Sequence, residues 1–267
     1  MPAARRPLSL LAAILAAFLL AGCASWRTAA QVNALLPADA ILLGEQHDAP
    51  EHQRIQARVV NQLVANGQLA ALVIEMAESG QGTTVVSPRA DEAAVRSVLQ
   101  WNDKAWPWSR YGPAVMTAVR AGVPVLGGNL PRVRFSSVML DHDLDATLAP
   151  QALNAQREAI RTGHCDLLAS SQLLPMARIQ IARDQSMART LQAVVQPGKV
   201  VLLLAGSGHV DRQLGVPQHL PSGLKVEVVR LQAGGEVKPS PAFDTVWTTP
   251  AVPQDNYCAD LRLRLGQ

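Results

Sequence analysis

Four short apolar runs, Ala40 to Leu43, Ala70 to Ile74, Val123 to Leu126 and Val200 to Ala205, are each followed at once by polar or glycine-rich residues. Continuous apolar runs of this length mark strands buried on both faces of a parallel sheet. Between the first two lies a helical pattern: Asp48 and Glu51 are spaced as a capping box, Pro50 falls in the first turn, and Ile55, Val59 and Leu63 form one stripe. Residues 109–121 and 177–195 predict further helices, the second stopped by Pro197-Gly198 just before the fourth strand. Lys225 to Leu231, with alternating Val226 and Val228, predicts a late edge strand. The expected fold class is therefore α/β, a mainly parallel central sheet flanked by helices.

The stretch 131–195 carries several helical patterns and no strand, so it reads as a mainly helical lobe inserted between the third and fourth strands. Residues 78–90, with Gly80, Gly82 and Pro88, read as a mobile loop near the active edge of the sheet. The tail from Ala233 is Pro-rich and irregular, and no internal repeat or low-complexity tract appears.

The N-terminus changes the picture of where the protein works. Arg5 and Arg6 precede an apolar run from Leu8 to Ala21, and Leu20-Ala21-Gly22-Cys23 sets small residues before a cysteine. That is the pattern of a signal peptide ending in a lipobox. The run falls short of the roughly 20 residues that span a bilayer, so the expectation is cleavage and acylation of Cys23 by chains such as palmitate. With Ala24 as second mature residue, the sorting rule favours the outer membrane of the cell envelope. The organisation read from sequence is a signal peptide over 1–22, a lipid-anchored tether over 23–37 and one α/β domain over 38–267.

Loss of residues 1–22 removes only Arg5 and Arg6, lowering the formal charge from +3 by two. No basic run with interleaved aromatics is present, so nucleic acid has no electrostatic footprint here and a small-molecule partner fits better. At 48% hydrophobic residues the chain can bury a substantial core. With Cys23 acylated, Cys165 and Cys258 remain as an even pair in an oxidising compartment, either disulfide-bonded or separately buried.

Ligand crevices of open α/β sheets lie beyond the carboxyl ends of the strands. Strand one runs into Gly44-Glu45-Gln46-His47, strand two into Glu75, strand three into Gly127-Gly128-Asn129, and strand four into Gly206-Ser207-Gly208-His209. Glu45, His47, Glu75, Asn129 and His209 are thus expected at one edge. Two imidazoles and two carboxylates there suit either a divalent transition metal, held by His47, Glu75 and His209, or an acid/base pair. A third reading is structural: strand-end histidines bonded to Glu45 and Glu75. Secondary features include the acidic turn Asp141-His142-Asp143-Leu144-Asp145 and the Gln180 and Asp184 pair, spaced to face the crevice or solvent. His52, one turn into the first helix, is read as exposed.

These same segments, with Ile74-Glu75-Met76 and the Trp108-Ser109-Arg110-Tyr111 region leading to Gly128-Asn129-Leu130-Pro131, resemble the ChaN-like haem-binding lipoproteins. The resemblance runs in order over roughly residues 38–220. It takes in His164-Cys165 and the helix bearing Gln180, Arg183, Asp184 and Met187. That family is grouped with the Tiki metalloproteases and the erythromycin esterases. The resemblance implies an envelope protein that binds haem, held between two protomers of a homodimer, and serves iron uptake. The alternative it implies is a metal-dependent hydrolase acting through Glu45, His47, Glu75 and His209. In haem-binding relatives a tyrosine ligates the iron. Of Tyr111 and Tyr257, Tyr111 is the better match, with Trp106, Trp108 and Arg110 beside it as porphyrin faces and propionate partner. His47, Asn129 and His209 complete the expected haem contacts.

Overall fold

The computed structural model describes residues 28–253 and 257–265. The expected signal peptide and acylated Cys23 fall outside the described residues. Six parallel strands form one sheet: β1 (Ala40–Glu45), β2 (Leu69–Glu78), β3 (Val125–Asn129), β4 (Val200–Gly206), β5 (Val226–Ala233) and β6 (Thr245–Thr249), ordered β3-β2-β4-β1-β5-β6. The α/β fold with a mainly parallel sheet is as the apolar runs require.

Both faces of the sheet are covered, which is why its strands read as unbroken apolar runs. One layer holds α1 (Pro50–Ala65), α2 (Glu92–Val98) and α3 (Trp108–Arg120). Val59, Leu63, Val95, Val115 and Val119 there pack with Ile41, Leu43, Leu72 and Ile74. The alternate strand residues, Ala40, Leu42, Val73 and Leu203, face Met187, Ala188 and Leu191 of α6 (Ser170–Gln192). The helical lobe comprises α4 (Phe135–Met139), α5 (Pro150–Gly163) and α6, with its own small cluster of Leu130, Val138, Leu144, Ile179 and Ile181.

Several boundaries differ from the sequence reading. Helix α1 starts after Ala49, whose side chain cannot cap, so the expected Asp48/Glu51 box does not form; Pro50 does occupy the first turn. Strand β5 is not an edge, because β6 pairs with it from Val229 to Ala233. The tail is not irregular throughout: beyond β6 it forms α8 (Tyr257–Leu265). Cys258 at its start is bonded to Cys165 just past α5, with Cα atoms 5.6 Å apart. The segment 78–90 is tied down: Gly82 bridges Leu126, and the buried Thr83 accepts from the Val125 N–H at 2.9 Å. The domain also begins before residue 38, since Val32 and Leu35 are buried in the main core. That part of the expected tether is folded.

The chain leaves β1 for β2 on one side of the sheet, and β4 for β5 on the other. Adjacent β1 and β4 therefore diverge in their connections, and the loops after them part to leave a crevice. The turn after β4 is the single helical turn α7 (Ser207–Val210). Gly44 lets it approach, because a Cβ there would lie 2.3 Å from Val210.

Candidate functional site

Glu45 is the last residue of β1, is 1% exposed, and accepts four hydrogen bonds. His47 Nδ1 and Tyr111 Oη reach its Oε1, both at 2.7 Å. Gln53 and Gln56 of α1 donate to Oε2 at 2.6 and 2.8 Å. A carboxylate oxygen can only accept here, so His47 holds a proton on Nδ1. Burial opposes charge on His47, but the bond to Glu45 and the charge of Glu75 raise its pKa above 6.5. Its ring meets the edge of Trp106 at 4.9 Å.

Glu75, on β2, is the centre of the second cluster. Arg183 of α6 donates to its Oε1 at 2.5 Å, and the Gly206 N–H to Oε2 at 2.7 Å. His209 Nε2 lies 3.5 Å and His47 Nε2 3.9 Å from its oxygens. Desolvation alone would raise its pKa; His209, Arg183, His47 and the Gly206 N–H overcome that and hold it at about 2. Only glycine fits at 206, because a Cβ would stand 2.8 Å from His47 Nε2. His209 is anchored in turn by the buried Asp184, Nδ1 to Oδ1 at 2.6 Å. Burial raises the Asp184 pKa, a rise its bond and charge interaction with His209 partly offset. Asn129 braces the cluster, donating to the Glu75 carbonyl and accepting from Arg183 Nε, each at 2.9 Å.

The structure thus brings Glu45, His47, Glu75, Asn129 and His209 together at one edge. It does not bring Tyr111 into the opening. Tyr111 is 3% exposed, its hydroxyl is bound to Glu45, and burial followed by the Glu45 charge pushes its pKa far up. In this arrangement its hydroxyl is not presented to a ligand in the cleft. Trp108 is also displaced: it is buried, donates to Glu92 at 2.8 Å and stacks edge-on with Trp101. Arg110 stays at the rim but is engaged by the His47 carbonyl at 2.9 Å. The expected metal set of His47, Glu75 and His209 meets without forming a ligand shell. Both Glu75 oxygens are committed, one to a guanidinium whose charge repels a cation, and among the described residues no group of three His, Cys, Asp or Glu is placed to hold a metal.

Other assignments resolve as scaffold. His52 is fully buried, accepting from the Gln46 N–H at 2.9 Å and reaching Thr249 of β6 at 3.0 Å. The acidic turn serves Arg178, whose guanidinium takes Asp145 and His142. His164 Nδ1 bonds the Ile160 carbonyl at the end of α5. The Gln180 and Asp184 pair does face the crevice. Gln53 and Gln56 carry no motif signal, whereas Arg183 and Asp184 share the α6 face that Gln180 marks.

Above this floor lie two adjoining hollows. One, of about 440 Å³, is lined by His47, Gln180, Arg183, Asp184 and His209. The other, of about 410 Å³, is lined by Trp106, Leu130, Phe135 and Arg132 among others. Glu75 and Arg183 border both. A family model described as haem-binding uptake, Tiki superfamily, ChaN, matches residues 31–220. The chain belongs to that family. Among solved structures this ChaN-family chain is similar to ChaN of Campylobacter jejuni, whose subject is cofacial haem binding. The TM-score is 0.67 and identity 27%, over 78% of this chain and 86% of that one. More distant are a type III effector, HopBA1 (14% identity, 83% of this chain, 92% of that chain, TM-score 0.49), and a mutant erythromycin esterase, EreC, in its open conformation (14%, 87%, 81%, TM-score 0.43). No curated protein matches significantly.

Proposed function

We propose that this chain captures haem at the cleft beyond the carboxyl ends of its strands, as a lipid-anchored protein of the outer membrane that serves haem or iron uptake. The observation that carries this reading is membership of the haem-binding ChaN family, together with the likeness to a ChaN whose structure concerns haem bound cofacially. The second hollow suits an amphipathic disc. Trp106, Leu130 and Phe135 offer apolar faces, and Arg132, exposed at the mouth, offers a cation to a propionate. Bound haem supplies an iron centre; the residues of this chain orient the ring and shield it from water. The polar floor sets the depth of the cleft, and the exposed His47 ring lines its first hollow with Nε2 3.9 Å from Glu75.

Two copies facing each other across this rim form the homodimer. Val133, 88% exposed between Arg132 and Phe135, supplies apolar contact area on that side. The test is a haemin titration of soluble protein lacking residues 1–23. A saturating Soret band, with a doubling of mass in light scattering, is expected; no spectral change at stoichiometric haemin overturns the reading.

A further inference from the structure

A third hollow, of about 370 Å³, opens on the far flank of Gln46, the residue between Glu45 and His47; it is lined by Gln46, Arg230, Gln232, Lys238 and Ser240 among others. Arg230 stands on β5 opposite Gly44 of β1, at the same ligand-bearing end of the sheet. Its Nε is buried and meets no acceptor among the described residues. Its guanidinium carbon lies over the Phe243 ring, 5.3 Å from the centroid, and its two Nη atoms make no hydrogen bond or ion pair among the described residues. Asp211 feels the charge of Arg230, but its Oδ1 is already bound to the Gln213 N–H at 2.7 Å.

A buried donor without an acceptor is costly, and a planar guanidinium with a free edge matches a carboxylate or phosphate bidentately. Lys238 adds a second positive charge to the wall, and Glu236 on the exposed rim offsets one. We propose that this hollow is an anion site, in which Arg230 grips a carboxylate or phosphate group and Lys238 assists. The group comes either from a free small anion or from the propionate of a haem whose edge extends into the adjoining hollow over His47 and His209, which Gln46 also lines. The propionate source rests on the haem reading; the free anion does not.

The experiment titrates inorganic phosphate into the full-length protein in detergent, without haemin, and follows the amide resonances of residues 234–240. Saturable shifts are expected, with a midpoint weakened about tenfold or more in Arg230→Gln and less in Arg230→Lys. Lys238→Gln, at an exposed position that does not threaten folding, weakens it by a smaller factor and carries the test should Arg230→Gln unfold. Haemin, but not haemin dimethyl ester, displaces phosphate if the source is a propionate; neither displaces it if the anion is free. No saturable shift, or an unchanged midpoint in both Arg230→Gln and Lys238→Gln, overturns the site. Failure of haemin to bind at all removes the haem reading and leaves the phosphate arm standing.

Discussion

The floor of the cleft and its flank are built on opposite principles. On the floor the carboxylates are committed: Glu45 to His47, Tyr111, Gln53 and Gln56, Glu75 to Arg183 and the Gly206 amide, and Asp184 to His209, while the buried Gln53 Oε1 and Gln56 Oε1 meet no donor among the described residues. On the flank, Trp106, Leu130, Phe135 and Arg132 line an open hollow, and Val133 beside them is left to solvent. Buried carboxylates hold only when bonded, so these carboxylates fix one arrangement of the floor and have little left for a ligand. The chemistry most conspicuous in the sequence therefore builds the site, and the less conspicuous flank meets what enters it.

Mutations should separate the two regions. Glu75→Ala leaves Arg183 and two imidazoles facing a hole, and is expected to cost about 3–5 kcal/mol in urea unfolding. A loss below about 1 kcal/mol would make Glu75 a ligand-binding group and not a keystone. Acid titration asks the same question. The folded Glu75 pKa is depressed from its ordinary 4.5 to about 2, so the stability it contributes is full above 4.5 and lost as pH falls towards 2. Stability of a Glu75→Gln variant should be flatter with pH across that window.

On the flank, Trp106→Ala is expected to weaken haem binding about tenfold, or about 1.4 kcal/mol, read from the Soret titration. Tyr111→Phe removes one hydrogen bond to Glu45 and should cost about 1 kcal/mol of stability while leaving haem affinity unchanged. The smallest effect belongs to Arg132→Gln: a weakening of a few-fold that fades at high salt, as an exposed charge contact does.

How much of this was legible in the chain follows from the same physics. Strands β1, β2, β3 and β4 were readable because burial on both faces leaves continuous apolar runs, and the polar residues at their ends could only emerge at one edge. Strand β6, Thr245–Thr249, was hidden: it is five residues long after a Pro-rich stretch, and its pairing is set by β5, not by its own pattern. With β6 unseen, nothing indicated that Thr249 would bury His52. The fate of Tyr111 was readable in principle, since Tyr111, Val115, Ala118 and Val119 form an i, i+4, i+7, i+8 stripe on α3, which marks the face turned to the core. The commitment of Glu75 to Arg183 was not, because it joins residues 108 positions apart whose helix phase only packing fixes.

The most direct test compares haemin titrations of the wild type, Tyr111→Phe and Trp106→Ala side by side in soluble protein lacking residues 1–23. A stoichiometric Soret band that survives Tyr111→Phe unchanged and weakens in Trp106→Ala is the expected result. A band abolished by Tyr111→Phe and indifferent to Trp106→Ala would contradict a haem held on the open flank above a floor of bonded carboxylates.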